Sequence, residues 1–392
     1  MKFIFRGDLG THNGYARATR AYAALCSNFG EITGIRMYGE PDPSDRWKYP
    51  VIKEEDIFFD QKQYAGDVDT IVIQVCTPDL YIRFPNVKNV GCFFWETSVL
   101  PLTEDWVFGL GSVDDLWLPA TYMLDMCLTK SFKNKEVIPW PILFSTETLD
   151  DINLPQQQPV NDKLIGLSAT TSSFGTYTIS EIKKRYKTIF LTISSIAARK
   201  GIPSLISSWH SANTSGALII KLSLKHLHFT GSSLIDYLNW SNIKHASLKN
   251  VFFIIDDVSE ESIANLYRHS DFYITNTYGE GYGGPIAEAI VNNIPVISPI
   301  HTGIVDLLPP DHALRVSHEA LQINLPGNLA VYSSASIWNI PNKNDLVEKI
   351  KQSYEINEEQ RLVITQHQLA FFAANNNKSN LLSKMKNWIN QI

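Results

Sequence analysis

Between residues 271 and 308 the chain reads DFYITNTYGEGYGGPIAEAIVNNIPVISPIHTGIVDLL, and two carboxylates, Glu280 and Glu288, stand eight positions apart in it. Gly279, Gly281, Gly283 and Gly284 surround Tyr282 and give a loop whose backbone can approach a ligand without interference from a Cβ. Pro285 suits the first turn of a helix, because the N–H it lacks has no helical partner there. The amides after the glycines then form a site for anions and hydroxyls at the end of a buried strand over 272–275. Both carboxylates can face one crevice, one taking the hydroxyls of a sugar and the other those of a ribose. The plainer reading is a glycine loop from strand to helix, with Glu280 solvated and Glu288 merely favourable to the helix dipole.

A second group lies at Arg199, Lys200 and Gly201, where the apolar run TIFLTIS ends in a basic turn and helical spacing follows in Ile202, Leu205 and Ile206. Breaking a sugar–phosphate bond leaves charge on a diphosphate, and Lys or Arg can stabilise that charge without a metal. The alternative is an exposed basic turn at a helix start, a place the helix dipole mildly disfavours. Nearer the N-terminus, GDLGTHNGYAR over 7–17 joins a first strand to a first helix. Read plainly, it is a turn entering a helix; its glycine spacing is not the dinucleotide-binding GxGxxG. The run FFWETSVLP places Glu96 at a strand end, where the plain reading is a structural carboxylate. Asp67-Val68-Asp69 matches a metal-binding DxD, but no other carboxylate or histidine cluster accompanies it, so it reads as a capped loop. His226, His228 and His245 show no ligand spacing, and no metal site is expected.

These residues need a scaffold of 392 positions, too long for one ordinary core and suited to two domains. Short apolar runs at 2–5, 70–75, 89–94 and 115–118, and again at 187–193, 217–222, 251–255, 272–275 and 295–297, alternate with helical spacing such as that of 15–29. That alternation predicts an α/β chain with two parallel sheets covered by helices. The polar, proline-bearing stretch 150–162 lacks either hydrophobic period and reads as the linker. The expected division is therefore 1–155, 163–365 and a C-terminal helix over 366–392.

With 34 Lys and Arg against 40 Asp and Glu, the chain offers no basic field for nucleic acid, and 44% hydrophobic residues suffice for sizeable cores. The N-terminal residues lack the apolar segment of a signal peptide, and no run approaches the roughly 20 apolar residues of a membrane span. Cys26, Cys76, Cys92 and Cys127 show no close pairing and read as reduced core thiols. The expected location is the cytoplasm, with peripheral membrane contact through one helix face left open.

The 271–308 run, including NNIPVI over 292–297 and Thr302-Gly303, resembles the donor-binding signature of retaining glycosyltransferase family 4. The basic turn is similar to that family's Arg-and-Lys signature, although Ser195 stands where many members have another arginine. The 7–17 loop and the 93–120 stretch also look like the family, which would make Gly14 a backbone-approach position, His12 or Asn13 a contact, and Glu96, near the place of a frequent histidine, an active-site carboxylate. The specific motifs fall within 189–308, and the N-terminal half is similar mainly in pattern.

The resemblance implies the GT-B fold, two facing doubly wound Rossmann-like domains with the site in their cleft and the C-terminal helix packing back on the first domain. It implies transfer of a sugar, with retained configuration and without a metal, from a nucleotide-diphosphate donor to a glycan, lipid-linked or protein acceptor. No cofactor is implied, the nucleotide-sugar being a co-substrate. Glu280, Lys200, Arg199 and Glu96 become the catalytic candidates. Gly14, Arg199, Lys200, Glu280, Gly281, Tyr282, Gly283, Gly284 and Glu288 become the donor contacts. A nucleotide-sugar epimerase or phosphorylase on the same fold, or an inactive sugar-nucleotide-binding module, are the alternatives.

Overall fold

The computed structural model describes residues 1–10, 13–38, 47–53, 69–101, 103–128, 134–139, 141, 164–167, 174–224, 229–256, 258–323, 332 and 335–392. His12, Asp67, the linker over 150–162, His226 and His228 lie outside the described residues. The chain divides into two compact units. The first comprises Met1–Leu154, Ile323–Ser336 and Ala373–Ile392, and the second Pro155–Gln322 and Ile337–Phe372.

In the first unit, β1 (Lys2–Gly7), β2 (Glu31–Arg36), β3 (Val51–Ile52), β4 (Thr70–Val75), β5 (Lys88–Cys92), β6 (Asp115–Leu118) and β7 (Asn134–Val137) form one sheet in the order 3-2-1-4-5-6-7. Every pairing in it is parallel. Strands covered on both faces need nearly continuous apolar sequence, and all six positions of β4, TIVIQV, are buried. The first helix, Gly14–Cys26, starts where the Asn13 side chain accepts from the Ala16 N–H, satisfying one of the donors that a helix start leaves open. It ends three residues before the expected 29, where Asn28 turns its amide onto the carbonyls of Ala24 and Leu25. The tail is two helices rather than one: Glu358–Asn376 stops, and Asn377 caps Lys378–Ile389. From that last helix Trp388 meets Trp117 of β6 with ring centroids 5.0 Å apart and donates to Asp115.

The second unit holds β8 (Leu164–Leu167), β9 (Phe174–Tyr177), β10 (Ile189–Ser195), β11 (Ala217–Ser223), β12 (Val251–Ile254), β13 (Phe272–Ile274), β14 (Val296–Pro299) and β15 (Arg315–Val316), in the order 15-14-13-10-11-12-8-9. Strands β10 to β15 run parallel, and β8 and β9 add an antiparallel edge. A hairpin of β16 (His318–Gln322) and β17 (Ile337–Pro341) follows. Counted from β10, the parallel strands repeat the 3-2-1-4-5-6 order of the first unit, the doubly wound pattern. Phe190 of β10 stacks on Phe272 of β13 at 5.2 Å, in a core shared with Trp209, Leu218 and Phe253.

Among the described residues no helix is long and apolar enough to cross a membrane. The four cysteines are buried and unpaired by disulfides.

Candidate functional site

In a doubly wound sheet the loops leaving the first and fourth strands diverge, and the opening between them is where ligands bind. In the second unit those strands are β10 and β13. Strand β10 runs through Ser195 into a short turn, Ala198–Lys200, which Gly201 closes with φ +61 before the helix Ile202–Ala212. A Cβ on Gly201 would stand 2.2 Å from the Asn276 carbonyl oxygen, so both backbone angle and space demand glycine. Strand β13 runs into the glycine loop, and Gly283, with φ +101, caps the helix Gly284–Val291. The helix thus begins one residue before Pro285, which still falls in its first turn and loses no hydrogen bond.

The two loops are tied together. Tyr278 N–H donates to the Arg199 carbonyl at 2.6 Å, and the Arg199 guanidinium donates to the Gly279 carbonyl at 2.9 Å. Lys200 Nζ reaches both carboxylate oxygens of Glu280, at 2.6 and 2.7 Å, and Arg199 lies 3.5 Å from one of them. Glu280 is buried, which by itself raises a carboxyl pKa, but the charges of Lys200 and Arg199 outweigh this and hold it below the usual range. The result is a buried carboxylate between two partly buried cations at the carboxyl end of the sheet.

Glu280 is also fixed through its backbone. Its N–H donates to Thr302 Oγ1 at 2.9 Å, and its carbonyl accepts from Gly303 N–H at 2.9 Å. Gly303 passes so close to Tyr282 that a Cβ there would lie 2.6 Å from the Tyr282 Cα. Glu288 is buried within the helix, where the Tyr267 hydroxyl lies 2.9 Å from Glu288 Oε2 and from the Pro285 carbonyl. The Tyr273 phenol is pushed well above its ordinary pKa by burial first, with Glu280 and Glu288 adding to the rise, so both carboxylates act on one buried hydroxyl.

The second unit thus brings together Arg199, Lys200, Glu280 and the Gly281, Tyr282, Gly283 and Gly284 backbone, with Glu288 in the helix that follows. Gly14 and Glu96 belong to the first unit. Gly14 opens the first helix with nothing within 4 Å of where its Cβ would stand, next to Asn13, which donates to Asp8. Tyr15 follows, and its hydroxyl accepts from Phe94 N–H at 3.2 Å. Glu96 accepts a short hydrogen bond from Tyr332, whose ring packs 5.4 Å from that of Trp95. Among the described residues no group of three His, Cys, Asp or Glu side chains is arranged to hold a metal ion. Sequence reasoning missed Tyr332 and His301, since the contacts that matter to each run through space rather than along the chain.

No protein-family model matches the chain, and no curated protein matches its sequence. Solved structures do match its architecture. The N-terminal domain of Candida albicans trehalose-6-phosphate phosphatase aligns with TM-score 0.64 and 11% identity over 99% of this chain and 98% of that one. Anabaena HepE, solved with UDP and glucose, aligns with TM-score 0.63 and 12% identity over 100% of both chains. The fold is GT-B. The pneumococcal O-GlcNAc transferase GtfA, solved with UDP and GlcNAc, shares it at TM-score 0.58 and 10% identity over 100% of this chain and 99% of that one. At such identities the likeness carries the GT-B architecture of two Rossmann-like domains and nothing finer.

Proposed function

We propose that this chain is a retaining, metal-independent glycosyltransferase that takes a sugar from a nucleotide-diphosphate donor to a glycan, lipid-linked or protein acceptor. The observation that carries the reading is the largely buried cluster of Lys200, Arg199 and Glu280 at the opening between β10 and β13. Two cations fixed at a sheet's ligand-binding edge suit a diphosphate, and they sit beside the N-terminal end of the helix Gly284–Val291, the positive end of its dipole. The carboxylate between them suits sugar hydroxyls. HepE and GtfA, which share the fold, hold UDP together with a sugar.

In this reading Arg199 and Lys200 bind the diphosphate and stabilise the charge that grows on it as the bond to the sugar breaks. Glu280 orients the sugar, Glu288 takes the ribose hydroxyls, and the backbone from Gly281 to Gly284 lies along the donor. The acceptor oxygen attacks the anomeric carbon on the face the phosphate leaves, and its proton passes to the departing phosphate oxygen. Gly14 and Glu96 serve the donor phosphates and the sugar or acceptor hydroxyl respectively. The protein acts in the cytoplasm, with or without peripheral attachment to a membrane.

A thermal-shift and hydrolysis screen of UDP-, GDP-, ADP- and dTDP-sugars in EDTA tests this, on wild type and Glu280→Ala. A donor that stabilises and is slowly hydrolysed by wild type alone is the expected result, and the configuration of the released or transferred sugar, read by NMR, should match that of the donor. Binding that requires a divalent cation, or no binding at all, would refute the assignment.

A further inference from the structure

Six non-glycine residues among those described have positive φ, and five of them are asparagines: Asn86, Asn213, Asn242, Asn250 and Asn293. Asparagine tolerates the left-handed region because its short polar side chain bonds locally. The sixth is Thr302, at φ +46. A β-branched side chain is disfavoured there, and such strain persists only where its surroundings over-determine it.

Those surroundings are a directed hydrogen-bond chain. His301 Nε2 lies 3.1 Å from the Thr277 carbonyl oxygen, which can only accept, so Nε2 carries the ring proton. In the neutral ring Nδ1 is then the acceptor, and it lies 3.2 Å from Thr302 Oγ1. The Thr302 hydroxyl donates to that nitrogen and accepts from Glu280 N–H. The chain runs one way, from Glu280 N–H through the Thr302 hydroxyl and the His301 ring to Thr277, and each bond polarises the next. The His301 ring is buried, against that of His318 at 5.0 Å. Since Gly303 N–H also holds the Glu280 carbonyl, Thr302 and Gly303 fix both backbone groups of the carboxylate-bearing residue.

We propose that Thr302, braced by His301, is a positioning residue that holds Glu280 at the angle needed to read the sugar of the donor, distinct from the cations that read its diphosphate. The inference rests on the donor reading above. The Thr302 hydroxyl bonds the backbone N–H of Glu280 directly, so its removal acts first on the residue that carries the carboxylate. Replacing the hydroxyl should therefore weaken recognition of the sugar and spare that of the bare diphosphate.

The test is calorimetric titration with UDP-glucose, UDP-GlcNAc, GDP-mannose and ADP-glucose, and with the matching nucleoside diphosphates, on wild type, Thr302→Val, Thr302→Ser and Thr302→Gly. For the sugar donor that wild type binds, Thr302→Val should lose affinity about tenfold, the scale of one buried donor left unpaired, while its diphosphate binds within about twofold of wild type. Thr302→Ser keeps the hydroxyl and should restore the donor. Thr302→Gly relieves the backbone angle, which guards against a variant that merely fails to fold, and should show the same selective loss as valine. Equal affinities in all four proteins, or parallel losses for donor and diphosphate, would overturn the inference while leaving the donor reading intact. A wild type that binds no nucleotide sugar would overturn both.

Discussion

Lys200 Nζ stands 2.6 and 2.7 Å from the two carboxylate oxygens of Glu280, from a turn 80 residues away along the chain. Both side chains are largely buried, so the pair is stable only as a pair. Lys200→Ala removes the cation that does most to lower the buried Glu280 carboxyl, whose pKa should climb. The expected loss is on the order of 3 kcal/mol, the scale of a buried ion pair broken from one side. Adding Glu280→Gln to Lys200→Ala should recover part of it, because the stranded charge is gone. Urea unfolding of the two single variants and the double variant gives the coupling directly.

His301 sets a pH dependence. Burial, then the neighbouring His318, pushes its imidazole down from 6.5 to about 4, against the opposing pull of its bond to Thr277 and the charge of Glu280. The unfolded chain takes up a proton near pH 6.5 that the folded chain refuses until about 4, so this contribution is full above about 6.5 and drains away as pH falls toward 4. A fall of this width amounts to roughly 3 kcal/mol. In His301→Gln the slope over that window should flatten by about one proton. His312, also lowered by burial, is present in both proteins and drops out of the difference.

Gly201 and Gly14 should respond differently to alanine. At Gly201 the positive φ and the 2.2 Å approach of the Asn276 oxygen both oppose a Cβ, and Gly201→Ala should cost at least about 2 kcal/mol and displace Arg199 and Lys200. Gly14 opens a helix with clear space above it, so Gly14→Ala should leave the melting temperature unchanged or slightly raised. A fall in donor affinity in Gly14→Ala without a fall in stability would mark a backbone that a ligand approaches.

Trp388 anchors the last helix within the first unit. Its indole N–H donates to Asp115 at 3.1 Å, while the Lys88 ammonium lies 3.0 Å from the other carboxylate oxygen as an ion pair. Trp388→Phe keeps the ring but withdraws the hydrogen bond and should cost about 1 to 2 kcal/mol. Trp388→Ala also empties the contact with Trp117 and should cost about 3 to 5 kcal/mol. Chemical denaturation distinguishes the two.

How much of this the sequence discloses follows from where the information lies. Buried parallel strands such as Thr70–Val75 and Ala217–Ser223 are written as unbroken apolar runs, so the fold class and both sheets are readable. Strands β2, β3, β7, β8, β9, β15, β16 and β17 escape because they are short, lie toward sheet edges or carry polar residues and glycine, leaving no period to detect. The glycine loop is readable since its residue types are dictated by local backbone geometry. The pairing of Lys200 with Glu280 is not: each residue suggests a ligand contact by itself, and only the adjacency of β10 and β13 makes them partners. Tyr332 reaches Glu96 across 236 positions, and His301 is a single histidine after a strand, so neither leaves a pattern.

The most direct test of the central claim is calorimetric titration in EDTA of Lys200→Ala and Glu280→Ala with the donor that wild type selects and with its bare diphosphate. The expected result is that Lys200→Ala loses affinity for both ligands, whereas Glu280→Ala loses the sugar's share and still binds the diphosphate. Unchanged binding in Lys200→Ala, or a loss in Glu280→Ala that is the same with and without the sugar, would contradict the assignment of diphosphate to the basic turn and sugar to the carboxylate.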